Sequence, residues 1–318
     1  PDSPEFNRRL IFGAYAQDVW RVLDSLSLTL GIRADVTQLP QTASATDPTV
    51  TGTQFVPAVN PRLGVVWAPT DGLNFKLLYG RAFRAPTMQE LAERIPNNDL
   101  SAGRFQGNPA LRPATIDTLE AGVETVTAVR DNKLRLRGNG FFNNFSNPIT
   151  AIDTSGNIIP LSNRPLGVRV FGAEAELRFE VSSRAYTFMN YSWFRAQDLA
   201  APEGFQLLTD VPQYRVNWAL VLPLGRYFDF SVLTQLGAER RNNGRSKLET
   251  LRTFKIPAYA LVSAQIRTQT LWDHVDFALT SQNVFNYDLK DDVPRPDRMR
   301  ELLPREGLGA YLTARARF

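Results

Sequence analysis

Six cations crowd one stretch of this chain. Residues 239–255 hold Arg240, Arg241, Arg245, Lys247, Arg252 and Lys255 against Glu239 and Glu249. That excess equals the net charge of +4 carried by all 318 residues. Arginine forks at this density can hold an anionic ligand through paired, charge-assisted hydrogen bonds; a solvated loop is the plainer reading of the same residues. A second charged pattern runs Glu120 and Glu124, then Arg135 and Arg137, then Glu174 and Glu176. Acidic, basic and acidic faces on neighbouring strands can pair across a sheet. This predicts an ion-pair ladder of structural role, with an ion path as the sharper alternative. A third cluster, Arg295, Arg298, Arg300 and Arg305 beside Asp291, Asp292 and Asp297, is charge-balanced and expected to pair with itself.

Other chemistries find no residues to carry them. The chain has no cysteine, which excludes disulfides, thiolate metal sites and thiol catalysis. Its one histidine, His274, argues against a Ser/His hydrolase or a His-rich metal site. There is no Gly-rich phosphate loop and no metal-ligand spacing, so neither a metal nor a cofactor is expected. Glu174 and Glu176 fall on a regular strand face, where a structural role is the better reading. Of the basic residues 31 are Arg and 5 are Lys, and +4 is too small a charge for nucleic-acid binding. The chain reads as a transport protein and not as an enzyme.

The elements that position these residues announce themselves by a period of two. Leu26 to Val36 alternates without error: Leu26, Leu28, Leu30, Ile32, Ala34 and Val36 against Ser27, Thr29, Gly31, Arg33 and Asp35. Strand side chains point alternately to opposite faces, so this is a strand with one apolar and one polar side. The pattern returns over 173–181 and 312–318. Thirteen strands are predicted, at about 8–22, 25–38, 57–69, 73–85, 113–127, 132–146, 166–181, 184–197, 212–223, 226–240, 257–269, 273–286 and 308–318. One short helix is expected over 87–94, after Pro86. Two strands are mixed: 184–197 has aromatics on both faces, and Arg81 falls on the apolar phase of 73–85, which places it near the loop end.

Short turns and long connections alternate strictly along this series. In an up-and-down antiparallel sheet, all short turns then lie at one end and all long loops at the other, as in outer-membrane barrels. A tilted strand of about 9–11 residues spans a bilayer, and most of these are that long. Apolar runs reach only about seven residues, so no membrane helix is present. A lipid-facing Arg or Lys at mid-bilayer costs about 2–4 kcal/mol, and the clean strands keep their charges on the polar face. Trp20, Trp67, Tyr79, Trp193, Trp218, Tyr227, Trp272 and Tyr311 suit interfacial girdles. A soluble β-sandwich with one wet face is the rival fold, and it leaves the alternating loop lengths unexplained.

Several segments resemble one family. Tyr79-Gly-Arg-Ala-Phe-Arg-Ala-Pro-Thr-Met-Gln-Glu-Leu91 precedes Gly107-Asn-Pro-Ala-Leu-Arg-Pro113 and Thr118-Leu-Glu-Ala-Gly-Val-Glu124. Phe141-Phe-Asn-Asn-Phe145, Arg169 to Glu176, Gln282-Asn-Val-Phe-Asn286 and Ala314-Arg-Ala-Arg-Phe318 follow. In this order they resemble the barrel of TonB-dependent outer-membrane receptors, with "FRAP", "GNPxLxPE", "NLFN" and "R-Y-R-F" boxes. Ala114 and Ala316 depart from the pattern. The resemblance implies a transmembrane antiparallel up-and-down β-barrel of 22 strands with a plug domain. This chain would be a partial barrel domain over 1–318, the C-terminal thirteen strands, with plug and first nine strands absent or supplied by another chain. An odd strand count, and a start at Pro1 without a visible signal peptide, agree with that expectation.

The same resemblance implies function. The protein would sit in the outer membrane of a Gram-negative bacterium and take up a scarce nutrient such as a ferric siderophore. The TonB–ExbB–ExbD complex would act through the plug absent here. By position and side-chain type alone, Arg94, Arg104 and Phe105 of the 86–112 loop, with Arg240, Arg241 and Arg245, are the expected ligand contacts in the external loops. Lipopolysaccharide phosphates are an alternative partner for the basic loop. Phe318 would be read by the outer-membrane assembly machinery, besides closing the barrel edge. Glu120, Glu124, Arg135, Arg137, Glu174 and Glu176 would face the lumen. Haem uptake is disfavoured, because 87–107 lacks the histidine that haem receptors place there. Two alternatives remain: a receptor-type barrel serving as a scaffold or interaction subunit in a larger outer-membrane complex, and a plug-less porin.

Overall fold

The computed structural model describes residues 9–42, 50–92, 104–151, 158–201, 207–208, 211–241, 255–271, 274–291 and 303–317. Thirteen long strands follow one another in sequence and pair only with their chain neighbours. They are β1 (Ile11–Leu23), β2 (Leu26–Thr42), β3 (Val50–Thr70), β4 (Leu73–Arg84), β5 (Ala114–Val129), β6 (Asn132–Ser146) and β7 (Val168–Ser182). Then come β8 (Ala185–Asp198), β9 (Tyr214–Leu224), β10 (Phe228–Gly237), β11 (Tyr259–Thr268), β12 (Val275–Gln282) and β13 (Gly309–Ala316). The one helix among the described residues is α1 (Met88–Ala92). Every long strand pair is antiparallel. The expected thirteen strands are therefore present, most within two or three residues of their predicted ends.

Register makes the two faces continuous. Leu30 lies opposite Leu63, and Leu63 opposite Tyr79. Leu119 opposes Phe142, which opposes Phe171. Leu279 opposes Leu312. This phase is exposed although apolar: Ile32 is 53% and Leu312 76% accessible. So much open apolar surface has no place in water and suits lipid contact. The other phase carries Arg33, Arg62, Lys76, Glu124, Arg137, Glu176, Asn190, Asn217 and Gln235, and faces inward.

The mixed strand β8 resolves on these faces. Tyr186 and Phe188 point inward with Asn190, and the Arg178 guanidinium lies 4.4 Å from the Tyr186 ring centroid. Trp193 and Tyr191 point outward. Trp67 and Phe75 stack at 5.4 Å on the outer face near the short turns. Tyr311 departs from the expected girdle: it opposes Thr280 on the inner phase, because the outer phase of β13 belongs to Leu312 and Ala314. Tyr227 lies in the β9–β10 turn, and Trp272 lies outside the described residues. Arg81 sits three residues from the end of β4, 3.8 Å from Asp117.

Turns need little. At the β3–β4 turn Gly72 has φ +79°, and a Cβ there would lie 2.3 Å from the Val126 carbonyl oxygen. The long connections hold more than loop. The β2–β3 hairpin runs on to Thr42 and Val50, past the expected ends at 38 and 57, because its register continues through Val36↔Pro57 to Gln41↔Gly52. Three short strands pair across two connections: Arg104–Gln106 runs parallel to Ile158–Pro160, and Ile149–Ala151 antiparallel to Leu161–Asn163.

The end of β12 is fixed by asparagines. Asn283 and Asn286 have φ +49° and +50°, a left-handed conformation that asparagine tolerates best after glycine. Asn283 is buried; its amide donates to the Tyr287 carbonyl and accepts from the Tyr287 N–H, both at 2.8 Å. Asn286 Oδ1 accepts from the Leu308 N–H at 2.9 Å and so sets the return into β13. Replacing Asn283 by Ala leaves the Tyr287 N–H unpaired, while its carbonyl keeps the Leu289 N–H at 2.9 Å. The expected loss is about 1–3 kcal/mol for a group stranded from water, read as a lower urea midpoint for the folded barrel in detergent. An unchanged midpoint would show that this turn is held elsewhere.

Candidate functional site

The residues after β4 make a fastening. Thr87 Oγ1 accepts the Glu90 N–H at 3.1 Å, and Glu90 Oε2 accepts the Thr87 N–H at 2.8 Å. This reciprocal pair starts α1. Arg84 grips the same carboxylate with two nitrogens at 2.9–3.1 Å. Burial pushes the Glu90 carboxyl upward, but Arg84 and the Thr87 N–H outweigh it and hold it below the usual range. Arg9 donates to the Pro86 carbonyl at 2.7 Å, and burial lowers its guanidinium from the usual value.

Leu91 then packs with Leu39 and Leu111 in a buried cluster, flanked by Val56, Met88, Ile149 and Leu161. Leu39 and Val56 belong to the inner phase of β2 and β3, so the connection folds onto the inner wall. Two asparagines tie it to the β6–β7 connection. Asn108 donates to the Leu161 carbonyl at 2.9 Å and accepts the Ala110 N–H. Asn163 accepts the Arg112 N–H at 2.7 Å and donates to the carbonyls of Arg112 and Asn147. The two connections thus form one cap. The "FRAP" and "GNPxL" residues build it: Arg84, Pro86, Asn108 and Leu111 are structural. The spacing Thr87–Glu90 is the one cue in the sequence that announces the helix start; Asn163, sitting in a plain polar stretch, gave none.

Beneath the cap lie buried polar groups. Asp35 is 2% exposed and takes Arg33 at 2.6 Å. Asn60 Nδ2 reaches Asp35 Oδ2 at 3.4 Å. Gly13 stands opposite Asp35, and a Cβ there would lie 2.6 Å from its carboxylate. None of these three was singled out from the sequence; Arg33 and Asp35 read there only as a polar strand face.

The ladder residues share the inner face. Arg137 lies 3.3 Å from Glu124 and 4.0 Å from Glu176, and Lys76 joins Glu124 at 3.8 Å. The run of alternating charge therefore crosses four strands, β4 to β7. Glu120 opposes Leu78 and Phe141, and Glu174 opposes Asn139 and Ser192. Arg135 opposes Arg178, and its Nε is buried without a hydrogen-bond partner.

The six expected ligand contacts divide differently. Arg104 and Phe105 stand in the cap strand beside Ile158 and Ile159. Arg240 and Arg241 form a two-residue strand opposite Lys255 and Ile256. Arg240 and Arg305 both bind Asp291, at 2.5 Å each. Asp291 of the charge-balanced loop thus pairs both with the basic connection, through Arg240, and with its own loop, through Arg305. Arg94, Arg245 and Phe318 lie outside the described residues.

The Glu90 fastening titrates in a stated direction. A carboxyl held low in the fold stabilises fully above its ordinary value of 4.5 and loses that contribution as pH falls through the folded value. Hydrogen-exchange protection of amides 87–92 should therefore drop below that pH, and Glu90→Gln should remove the dependence. A wild-type profile matching the variant's would show that Glu90 does not hold the cap.

Comparison with known proteins agrees with this architecture. A family model described as TonB dependent receptor-like, beta-barrel matches residues 1–286. No curated protein matches the chain. Among solved structures, the copper transporter OprC superposes with a TM-score of 0.71 at 15% identity, over 96% of this chain and 46% of its own. The siderophore receptor PirA from Acinetobacter baumannii gives 0.71 at 17%, over 98% and 46%. The ferric-catecholate import receptor Fiu from E. coli K12 gives 0.71 at 16%, over 98% and 45%. At these identities the likeness shows the fold, and the chain spans under half the length of those structures. The order of strands, the two-faced wall and the family match lead to one conclusion: this chain belongs to the TonB-dependent receptor-like β-barrel family.

Proposed function

We propose that this chain forms the C-terminal thirteen strands of a 22-stranded outer-membrane receptor. That receptor takes up a scarce nutrient, such as a ferric siderophore, in a Gram-negative bacterium. The observation that carries the reading is the cap: two external connections are fastened as one body on a polar inner wall. A porin gains nothing from such a body, whereas a receptor needs a rigid surface to receive its ligand.

Edge chemistry supports the longer barrel. β1 and β13 run the same way, and each has a neighbour on one side only. Hydrocarbon cannot satisfy an open row of N–H and C=O groups. Joining the two edges directly would make a parallel pair; an odd number of further strands, such as nine, makes both closures antiparallel. Those strands and the plug come from elsewhere in the polypeptide or from another chain. Energy reaches the plug from the TonB–ExbB–ExbD complex. The assembly machinery reads the terminal Phe318. Arg94, Arg104, Phe105, Arg241 and Arg245 are the proposed ligand contacts; Arg240, bound to Asp291, supports them. Lipopolysaccharide is a second anionic partner for the basic loop.

Uptake by the full-length receptor in a receptor-deficient Gram-negative host tests this. Radiolabelled ferric-siderophore uptake should saturate and stop when TonB is deleted. Changing Arg104 and Phe105 together to Ala should lower uptake roughly tenfold at equal surface level, the worth of one lost charge-assisted contact. A native mass of 35.7 kDa with no second barrel chain, or steady single-channel conductance without TonB-dependent uptake, would overturn the reading.

A further inference from the structure

The wall has a seam. β3 and β4 pair from Thr70↔Leu73 up to Arg62↔Gly80. Beyond that row, among the described residues, β3 continues against β2 alone and Arg81–Arg84 against β5 alone. Proline gives the cause. The Ala68 N–H donates to the Ser25 carbonyl at 2.7 Å. Ladder bonds alternate along an antiparallel strand, so even residues of β3 bond β2 and odd residues face β4. Pro57 and Pro61 are odd, and proline has no N–H to give. Pairing stops one residue short of Pro61.

A cavity of about 790 Å³ fills the opening. Its walls come from both phases of β3, with Ala58 and Asn60 inward and Pro57 and Val59 outward, and the cap segment Pro109–Pro113 closes it. It therefore touches both the lumen and the lipid side, at the external end. Apolar side chains, among them Leu39, Val56, Phe83 and Leu111, share the lining with polar groups. The lining includes two arginines, Arg81 and Arg112, and no carboxylate. Arg81 has Asp117 at 3.8 Å. The Arg112 guanidinium has no ion pair among the described residues.

Asn60 adds a second, independent sign. It is 5% exposed, and its Nδ2 is committed to Asp35. A carboxylate only accepts, so the amide orientation is fixed and Oδ1 must be the other end. Asn60 Oδ1 is buried with no donor. Buried acceptors are normally satisfied, so a group that donates belongs there. A β-strand does not fit the opening, because the two prolines blunt its edge.

We infer that the β3–β4 seam binds an amphiphilic organic anion. Its apolar body lies between β3 and the cap, its anionic group meets Arg112, and a hydroxyl or N–H donates to Asn60 Oδ1. The size lies within the range of sites for small organic ligands. A phosphorylated lipid of the outer leaflet and an amphiphilic solute from outside share this chemistry. The site is distinct from the uptake reading and is tested without transport.

The test uses the full-length receptor in lipid nanodiscs, titrated calorimetrically with octyl phosphate, octanol and inorganic phosphate. Octyl phosphate should bind saturably, and head or tail alone at least about tenfold more weakly. Ala110→Trp should abolish binding by filling the mouth; Ala110 is exposed and holds Asn108 only through its N–H, so the cap survives. Arg112→Ala should weaken binding about tenfold, one charge-assisted contact. Mass spectrometry of organic extracts separates the sources. A stoichiometric phosphorylated lipid in wild type, missing from Ala110→Trp, identifies the lipid; octyl phosphate binding with no such lipid identifies a solute. No saturable binding, or binding unchanged in both variants with protection of amides 87–92 intact, overturns the inference.

Discussion

Hydrocarbon offers a backbone no hydrogen bonds, and the rest of this structure depends on that one constraint. Every N–H and C=O at membrane depth must find a partner in the next strand, which fixes an antiparallel ladder of long strands. The pleat then sends alternate side chains to lipid and to lumen, so one phase must be apolar and the other is free to carry charge. Leu28, Leu30 and Ile32 on one side of β2, and Thr29, Gly31 and Arg33 on the other, are that rule written in six residues. The run Lys76–Glu124–Arg137–Glu176 follows from it. Strands held in register bring unlike charges opposite each other on the only face where charge is tolerated.

The same constraint explains where family-like residues are spent. A barrel wall repeats, and nearly any alternating sequence can form it. The chain's exits from the wall do not repeat, because backbone groups leaving the ladder must be satisfied one by one. Asn108, Asn163, Asn283 and Asn286 all sit at such exits, where a short amide can take one carbonyl and one N–H at once. Arg84 and Glu90 do the equivalent for α1. The recurrence of "FRAP", "GNPxL" and "NLFN" boxes is thus a recurrence of exits, which says little about cargo.

This division also sets what was legible in the sequence. Strand number, order and face could be read because they depend on period and turn length, both local. The outward phase of Trp67 and Trp193 and the inward phase of Arg137 came with them. Tyr311 leaves the expected girdle because strand phase, not aromatic type, decides which way it points. The cap strands and the extended β2–β3 hairpin were read as loop; Arg104–Gln106 is held by Ile158–Pro160, some fifty residues away, and nothing local marks it. Asp35 is buried among Gly13, Arg33 and Asn60, which come from three different strands, so its burial is a long-range fact. Of the expected contacts, Arg240 is paired with Asp291, some fifty residues away, and nothing local marks that pairing.

The seam shows how narrow the rule's exceptions are. Pro57 and Pro61 were visible in the sequence, but their effect depends on parity: on even positions they would have cut the β2–β3 ladder, whose pairing here runs unbroken from Leu26↔Trp67 to Gln41↔Gly52. On odd positions they release β4 alone. Arg81–Arg84 stay in register with β5, so the breach stays one strand-gap wide, and the Pro109–Pro113 segment lies over it. Below Arg62↔Gly80, where the wall crosses more of the hydrocarbon, pairing is restored. An opening therefore survives only at the external end, where polar headgroups and the cap can meet the backbone groups the ladder has let go.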